Sequence, residues 1–295
     1  MDPAKPLSPS RPSSFRIGLT DPQGPLSRHV RDVFHASDLP VSRFVPIGVE
    51  TDAGKLYEID GETEIFVPPA RETIADLDFL VIAGSPIDAT ARALAGENEV
   101  PVFEAAAVPA AALGCDVILS AAPPVSAAFT LILPAAEEGT EGIQELFRQA
   151  GDALNFRDTR APIFGNRLAF NLFRDGRTAA LDRRIEACLR ERHPDAAVSA
   201  TSIRGTLLHG YGASARLVFA DAGKALEAAD RLRASRDVGV GKKPGAASPA
   251  VVVEDSKMAA DPPEVDGAAL SLWFAFDGLA LCAEAALAAA RVRLR

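Results

Sequence analysis

A continuous apolar run, Phe79–Ile82, places the strongest limit on what this chain can fold into. Four consecutive apolar residues without alternation predict a strand that is covered on both faces, as strands are in parallel sheets. The run ends at Gly84, and the pattern that follows predicts a helix over 86–94. The chain begins in a similar way, with a strand at Phe15–Leu19, a glycine-containing turn and an amphipathic helix. This alternation of strand and helix continues to residue 120 and predicts an α/β fold.

The composition excludes several classes of function. The chain has 295 residues, enough for two domains, and its net charge of −9 opposes general binding of nucleic acid, which requires a basic surface. The three cysteines are far apart and the four histidines are scattered, so no spacing suggests zinc or another metal. No apolar segment reaches membrane-spanning length, and residues 1–14, rich in Pro and Ser, lack the apolar core of a signal peptide. These observations predict a cytoplasmic protein with a disordered N-terminal tail.

The turn after the first strand matches a phosphate-binding loop only in part. Gly18 and Gly24 have the spacing of the outer glycines of a G-x-x-G-x-x-G pattern, but Asp21 stands at the middle position. A working loop offers bare N–H groups to a pyrophosphate, and a carboxylate there would repel it. Two interpretations remain open. The turn is either a weakened dinucleotide site that includes Gly18, Gly24 and Gly84, or a strand-to-helix turn in which Asp21 is a local cap.

The rest of the chain predicts a less regular mixture of strands and helices. Between residues 55 and 67 the pattern predicts a hairpin that turns at Asp60-Gly61. The segment 120–128 contains nothing reactive, and its two prolines oppose a regular element. From residue 115 onward, the predicted strands are 115–119, 129–133, 197–203, 213–219, 250–254 and 268–276, and the predicted helices are 140–155, 178–192, 222–234 and 278–295.

Chemistry-bearing side chains concentrate between two of these strands. Arg204, His209 and Tyr211 lie within eight positions and combine a fixed cation, a titratable ring and a phenol. Glycines beside them permit close approach of the backbone. This segment is the predicted wall of a site. The same residues also fit structural roles, Arg204 in a salt bridge and His209 in a hydrogen bond.

Several motifs in a common order resemble the aspartate-semialdehyde dehydrogenases. The strongest matches are LAFNLF at 168–173, VSATSIRGTLLHGYGASARLVF at 198–219 and LSLWFAFDGLALCAEAAL at 270–287. FRIGLTDPQG at 15–24 and GTEGIQEL at 139–146 support them, as does the strand that ends in IAG. On these motifs the chain resembles a divergent paralogue of that family.

The resemblance implies a two-domain fold and an oxidoreductase chemistry. Residues 15–122 and 277–295 would form a Rossmann-like NAD(P)-binding domain completed by the C-terminal helix, and 123–276 an inserted α+β dimerisation domain. Members of the family use a cysteine nucleophile, a histidine as acid/base and NADP as hydride acceptor, in amino-acid biosynthesis. A homodimer and NAD(P) binding are expected on the ground of this resemblance alone.

The nucleophile of the family is not matched in this chain. The family cysteine follows an Asn-Pro-Asn triplet after a strand. With that strand placed at 116–119, a gap-free pairing puts Pro123 near the nucleophile position, and a pairing that deletes the segment supplies no cysteine either. Cys115 lies before the strand, and it suits a small buried thiol better than a displaced nucleophile.

The other positions that the resemblance implies also differ. Tyr211 aligns with the family histidine, and a phenol with an ordinary pKa of about 10 cannot shuttle protons at neutral pH as imidazole does. His209, two positions earlier, is an alternative base. Arg204 matches the arginine that holds the substrate carboxylate, whereas Gly278 replaces an asparagine that contacts the nicotinamide. The segment after Gly84 is too short to carry the loop that grips the substrate phosphate.

These departures lead to one leading hypothesis and three alternatives. We expect a catalytically silent relative that keeps the fold and the dimer and binds a small ligand or another protein, for example an active homologue. The first alternative is an active NAD(P)-dependent semialdehyde dehydrogenase with a site rearranged around Cys115 or His209. The others are a nucleotide sensor without chemistry and a structural partner in an enzyme complex.

Overall fold

The computed structural model of the chain describes residues 14–59, 62–254 and 257–294. The predicted tail lies outside these residues except for Ser14, and so does the predicted turn at Asp60-Gly61. The chain divides into two compact units, one formed by residues up to 106 and from 283 onward, the other by 107–282. The predicted domain boundaries lie after 122 and before 277, whereas the two compact units divide after 106 and after 282.

The first unit is built on a parallel sheet. Its elements are β1 (Phe15–Leu19), α1 (Pro25–His35), β2 (Val41–Pro46), β3 (Leu56–Ile59), β4 (Glu62–Ile65), α2 (Arg71–Ala75), β5 (Phe79–Ile82), α3 (Asp88–Glu97) and β6 (Val102–Glu104). The sheet order is β2-β1-β5-β6, and each neighbouring pair is parallel. The α/β fold class predicted from the buried strand is thereby confirmed. β3 and β4 form the predicted hairpin apart from this sheet.

The parallel sheet has a buried centre and a reversal in its strand order. Ile17, Leu19 and every residue of β5 are buried, and α1 contributes the buried Leu26, Val30 and Phe34. The chain passes from β1 to β2 on one side, whereas β5 lies on the other side of β1. In open α/β sheets, ligands bind outside the carboxyl ends of the strands at such a reversal. A nucleotide site, if present in this unit, is therefore expected at the carboxyl ends of β1 and β5.

The second unit is built on a mixed sheet. Its elements, the last of which continues into the first unit, are α4 (Ala110–Ala121), β7 (Ser126–Leu133), α5 (Gly139–Leu154), α6 (Gly176–Arg192), β8 (Ala197–Arg204), β9 (Tyr211–Val218), α7 (Ala222–Ala234), β10 (Gly239–Val240), α8 (Pro249–Glu254), β11 (Met258–Ala260), β12 (Glu264–Asp266), β13 (Ala269–Phe276) and α9 (Gly278–Leu294). The sheet order is β10-β11-β13-β9-β7-β8, with β12 also pairing with β13.

Strand alternation gives the second sheet one covered and one open face. On β7, Phe129 and Leu131 are buried while Ala128 and Thr130 are exposed. α4, α6 and α7 contact β7, β8 and β13, and they cover the face that carries Phe129 and Leu131. The opposite face is left open by the described residues over much of β7, β8 and β9.

Two predicted strands are helices. The stretch 115–119 lies inside α4, and 250–254 forms most of α8. Both are short apolar runs, for which periodicity cannot separate a strand from a buried helix. Preceding alanines extend the first run to a helix of 12 residues, and Pro249 suits the first turn of the second. The strand predictions at these two places were wrong, whereas the helix predicted at 222–234 is confirmed.

No described helix is long and apolar enough to cross a membrane. No group of three or more His, Cys, Asp or Glu side chains among the described residues could hold a metal ion.

Candidate functional site

The crevice at the carboxyl ends of β1 and β5 is spanned by the side chain of Asp88. The Thr20 hydroxyl donates to Asp88 Oδ1 at 2.6 Å and accepts from the Ala83 N–H at 2.9 Å. The other oxygen, Oδ2, accepts the N–H groups of Gly84 and Ser85, each at 2.9 Å. One carboxylate thus engages the backbone amides of the turn after β5 and joins that turn to the end of β1.

A second carboxylate lies at the same crevice. Asp21 adopts a left-handed backbone with φ 66°. Burial raises the pKa of Asp21, the charge of Asp88 raises it further, and the N–H of Gly24 opposes both effects. The Asp21 carboxylate packs directly against Gly24, where a Cβ would overlap it unless the Asp21 side chain moved. The turn between β1 and α1 is therefore closed by its own acidic side chain.

The three glycines predicted to contact a cofactor have different surroundings. Gly24 lies beside Asp21, and Gly84, with φ 96°, presents its N–H to Asp88. Gly18 lies within β1, where a Cβ would meet Leu77, so it serves packing of the sheet. The structure brings only two of the three predicted glycines to the crevice.

The residues of this crevice do not fit the pyrophosphate of a dinucleotide. The N–H groups of Gly84 and Ser85, which could otherwise donate to an anion at this edge of the sheet, already donate to Asp88. The carboxylate of Asp21 adds a second negative charge where a helix N-terminus normally supplies bare donors. An incoming phosphate would have to displace one carboxylate and approach another.

A group of four ion-paired side chains, here called the arginine cluster, lies at one end of the second sheet. It consists of Arg204, Arg177, Glu138 and Asp175. Arg204 donates from Nη2 to Glu138 at 2.6 Å and from Nε to Asp175 at 3.4 Å. Arg177 lies 3.3 Å from Glu138 and 3.5 Å from Asp175. Each carboxylate is therefore shared by two guanidinium groups.

The ends of regular elements position the arginine cluster. Arg204 is the last residue of β8, and Glu138 ends the short 3-10 turn Ala135–Glu138 that follows β7. Asp175 caps α6 by accepting the Thr178 N–H at 2.8 Å, and the Thr178 hydroxyl completes a capping box. Burial opposes ionisation of Asp175, but the Thr178 N–H and the charges of Arg204 and Arg177 lower its pKa. Asp175 is therefore held as an anion beside the two arginines.

Arg204 is the buried centre of this cluster. Its side chain is only 6% exposed, and its guanidinium carbon lies 5.5 Å from the ring centroid of Phe164. Nε and Nη2 are engaged by the two carboxylates, whereas Nη1 has no hydrogen-bond partner among the described residues. Two of the guanidinium nitrogens that could donate to a ligand carboxylate therefore already donate to Asp175 and Glu138.

Tyr211 lies next to this cluster as the first residue of β9. It is 5% exposed, and its hydroxyl donates to Glu137 Oε1 at 2.5 Å. Burial raises the pKa of Tyr211 well above its usual value, and the charge of Glu137 raises it further. Glu137 keeps part of its surface exposed, but dense packing around its carboxyl group desolvates it and raises its pKa as well. Tyr211 is therefore a protonated hydrogen-bond donor at neutral pH.

The ring of Tyr211 fills the space beside Gly278. It stacks on Phe276 with centroids 4.7 Å apart and planes inclined by 4°. A Cβ on Gly278 would overlap the Tyr211 ring and lie 3.0 Å from the Cβ of Ala110. No larger side chain fits at position 278 while this ring stays stacked. Positions 211 and 278 are thus in contact, and the stacked tyrosine ring requires the glycine.

His209 does not join Tyr211 in this arrangement. It is half-buried in the loop before β9, and its side chain makes no hydrogen bond or ion pair with another described residue. Because β9 begins only at Tyr211, strand alternation does not govern the direction of His209. The structure brings Arg204 and Tyr211 to one end of the sheet through the adjacent Glu138 and Glu137, and leaves His209 apart.

The three cysteines of the chain all have raised pKa values. Burial raises the pKa of Cys115, helped by the charge of Asp116, and Cys115 is fully buried in α4. Burial raises the pKa of Cys282 to about 12, with a further contribution from Glu137. Burial also raises the pKa of the half-buried Cys188. A nucleophilic cysteine needs the opposite shift, which favours the thiolate.

The structure removes the basis on which Pro123 was paired with the family nucleophile position. Pro123 follows helix α4, so the pairing that rested on a strand at 116–119 loses its basis. The strand that precedes α4 is β6, and the turn after it, residues 105–109, has the sequence AAAVP. This turn contains no cysteine, serine or threonine.

The sequence analysis did not single out the carboxylates at either place. In the crevice of the first unit this is Asp88, and at the end of the second sheet these are Glu137, Glu138 and Asp175. Asp175 had a local signal, because an Asp placed three residues before a Thr at the start of a helix is typical of a cap. Asp88 lies 68 residues from Thr20. No local pattern encodes a contact across that separation.

Solved structures with this fold include aspartate-semialdehyde dehydrogenases. Aspartate semialdehyde dehydrogenase II from Vibrio cholerae, solved in complex with ASA, matches with a TM-score of 0.82 and 16% identity, over 95% of this chain and 98% of that one. A probable aspartate-semialdehyde dehydrogenase from Pseudomonas aeruginosa matches with a TM-score of 0.81 and 17% identity over the same shares. The Candida albicans enzyme with NADP gives 0.64 and 10%, over 95% and 100%. By sequence, neither a protein-family model nor a curated protein matches the chain. At these identities the likeness shows the fold, a Rossmann-like unit followed by a second domain.

Proposed function

We propose that this protein is a non-catalytic relative of the aspartate-semialdehyde dehydrogenases, which acts by binding a ligand or a partner and not by oxidoreduction. The observation that carries the proposal is the state of Tyr211. This residue stands where the resemblance places an acid/base histidine, and its hydroxyl is bonded to Glu137 while its ring packs against Phe276. A general base must accept a proton near neutral pH, and a phenol whose pKa is raised cannot do so.

The arginine that would bind substrate supports the same proposal. Arg204 matches the arginine implied to hold the substrate carboxylate, but Glu138 and Asp175 already take two of its donors. A substrate carboxylate would have to displace a charge-assisted bond that the fold supplies. The arrangement therefore favours a structural ion pair over a substrate-binding group.

The thiols supply the third support. A semialdehyde dehydrogenase needs a thiolate that attacks the aldehyde and later leaves from the thioester. The pKa values of Cys115, Cys188 and Cys282 are all raised, and burial is the largest cause for each of them. Nearby acidic charge raises the pKa of Cys115 and of Cys282 further. Cys115 is fully buried within α4, so a site rearranged around it would first need that thiol to become accessible.

A turnover assay tests the proposal. The purified protein is mixed with aspartate semialdehyde, NADP and phosphate, beside an active homologue as positive control, and NADPH formation is followed. We expect a rate equal to that of the buffer blank. Enzymes commonly turn over at roughly 1–10³ per second, so a rate in that range would contradict the proposal.

Thiol labelling separates the proposal from an active enzyme with a rearranged site. Iodoacetamide is added to folded and to denatured protein at pH 7, and the labelled cysteines are mapped by mass spectrometry. We expect slow labelling of Cys115 and Cys282 in the folded protein and fast labelling after denaturation. Fast labelling of Cys115 in the folded protein would favour the rearranged site instead.

We also propose that the protein forms a homodimer through the open face of the second sheet. Small side chains on this face let another sheet approach closely; they are Ala128, Thr130, Ser199 and Ser214. Two shallow grooves of about 390 and 430 Å³ share Ala128 and Arg216 there. Arg190 lines one groove, and Asp261 and Glu264 line the other. A two-fold arrangement can therefore place the basic part of one copy against the acidic part of the next.

Light scattering coupled to gel filtration tests the dimer. The chain mass is 31.0 kDa, so a homodimer elutes at twice that mass. Ala128→Arg, in the middle of the open face, is expected to shift the protein to the monomer. Ala187→Arg, on the exposed side of α6, is the matched control and should leave the dimer intact. A wild-type protein that is monomeric at micromolar concentration would overturn the homodimer. If it then forms a complex with an active homologue, the open face binds that homologue instead of a second copy.

A further inference from the structure

We propose that Asp88 is an internal substitute for a phosphate group, which keeps nucleotides out of the crevice of the first unit. The residues at the carboxyl ends of β1 and β5 do not fit the NAD(P) that the resemblance implies. The disagreement has a specific cause, since one acidic side chain of the chain itself makes the bonds that a bound anion would make.

The geometry of the turn after β5 supplies the first argument. Successive backbone N–H groups that point to one place form an anion-binding concavity. Here the N–H groups of Gly84 and Ser85 both donate to Asp88 Oδ2 at 2.9 Å. Gly84 has the positive φ of 96° that lets the turn present both groups to one oxygen. The concavity is formed, and its anion is a carboxylate three residues further along the chain.

The position of the contact supplies the second argument. Asp88 Oδ1 accepts the Thr20 hydroxyl at 2.6 Å, and Thr20 directly follows β1. The carboxylate thus bridges the ends of the two strands between which the sheet order reverses. That is where an α/β sheet binds a ligand. An anion bound at the turn after β5 would have to use the donors that Asp88 occupies.

Competition favours the internal group. A tethered group acts at an effective concentration that can reach the millimolar range or above, without the loss of translational freedom that a free anion undergoes. A free phosphate would also approach the carboxylate of Asp21, and placing like charges side by side is unfavourable. Removing Asp88 frees three donors and removes one of the two charges.

This inference concerns the first unit and is measured by binding, so it is tested independently of the missing dehydrogenase reaction. Nucleotide binding without turnover in the wild-type protein would overturn the inference and leave the proposed function intact. Turnover with NADP would overturn both. An Asp88 variant without any gain of binding would overturn only the inference.

The experiment compares binding of inorganic pyrophosphate and of NADP to wild type, Asp88→Ala and Asp88→Asn by titration calorimetry. The wild type should show no saturable binding at millimolar concentration. Asp88→Ala, which frees the amides, should bind pyrophosphate at least about tenfold more tightly. Asp88→Asn keeps an oxygen acceptor for the turn and removes the charge, so it should fold like the wild type and show a smaller gain.

Glu97→Gln is the matched control. It removes one negative charge at the other end of the same helix, α3, where Glu97 is exposed. This variant should bind pyrophosphate no better than the wild type. Micromolar binding by the wild type would overturn the inference, and so would an equal gain in Glu97→Gln. If Asp88→Ala does not fold, a folded Asp88→Asn without tighter binding would overturn it as well.

Discussion

The crevice of the first unit and the arginine cluster of the second are both filled by carboxylates of the chain itself, but the carboxylates bind different donors. In the crevice, Asp88 accepts bonds from backbone amides and a hydroxyl, all of them neutral. In the arginine cluster, Glu138 and Asp175 compensate the guanidinium charge of the buried Arg204. A neutral donor that loses its partner costs less than a buried charge that does so. A single substitution of Asp88 should therefore free the donors of the crevice at little cost in stability, whereas loss of Arg204 should destabilise the protein.

The largest expected effect is the loss of Arg204. Breaking a buried ion pair by removing one partner commonly costs about 3–5 kcal/mol. Arg177 still faces both carboxylates, so Arg204→Ala should lower the free energy of unfolding by about 3 kcal/mol, at the lower end of that range. Urea unfolding followed by circular dichroism measures it.

Arg233→Ala is the control for this change. Arg233 is half-exposed and pairs with Asp230 one helical turn away in α7, an exposed pair that contributes about 0.5 kcal/mol or less. If Arg204→Ala costs no more than Arg233→Ala, the arginine cluster contributes no more than an exposed ion pair.

The next effect concerns the contact between Gly278 and Tyr211. A Cβ at position 278 overlaps the Tyr211 ring, so Gly278→Ala should destabilise the protein by about 2 kcal/mol, as overpacking of a filled core does. The matched change Gly151→Ala, in α5 with open space around it, should have the opposite sign and stabilise by about 0.5–1 kcal/mol. A double-mutant cycle of Gly278→Ala with Tyr211→Ala measures the contact directly, and equal costs in both backgrounds would exclude it.

Alkaline pH should weaken the second unit in particular. Tyr211 and all three cysteines lie there, and their pKa values are raised in the folded protein. A group with a raised folded pKa stabilises fully below its unfolded pKa, and this contribution is lost as pH rises toward the folded value. For Cys282, whose folded pKa is about 12, the window runs from its ordinary 9.0 upward. Across that window the Cys282 thiol alone should lower the free energy of unfolding by up to about 1.4 kcal/mol per pH unit.

Urea midpoints between pH 8 and 11 check this dependence. Cys282→Ala should make the fall with pH less steep, because one of the responsible groups is gone. A midpoint that stays constant to pH 11 would show that these groups titrate normally in the folded protein.

The smallest effect is expected at the crevice. Asp88→Asn keeps an oxygen that can accept from the turn after β5, so it should cost about 1 kcal/mol or less. Thermal unfolding of the variant beside the wild type measures the change. A loss as large as that of Arg204→Ala would mean that Asp88 is as essential to the fold as the arginine, and the contrast between the two regions would fail.

The sequence allowed much of the architecture to be predicted, and the failures have a common cause. The apolar run at Phe79–Ile82 and the alternation along β7 and β9 carry their burial in the local pattern. The run at 115–119 does not, because a strand and a buried helix present the same apolar side chains to a core. Which one forms was decided by packing, since α4 lies against α6 and β7.

The candidate site shows the same limit more sharply. The residues at 204, 209 and 211 were recognisable as chemistry-bearing from their types alone, but their partners were not. Tyr211 meets Glu137 across 74 positions and Arg204 meets Glu138 across 66. Contacts at such separations depend on the strand register, which places residues of distant segments side by side at the end of the second sheet.

The amino-acid sequence by itself determined the alternation of buried strands and amphipathic helices in the first unit and the residue types at 204, 209 and 211, because each of these is a property of residue type or local spacing. Only the tertiary structure decided that Asp88 occupies the crevice, that Arg204 is neutralised from within and that Tyr211 requires Gly278. The physical reason is that a charge or a ring acquires its role from what lies within a few ångströms of it. In this chain those neighbours come from segments that the sequence keeps far apart.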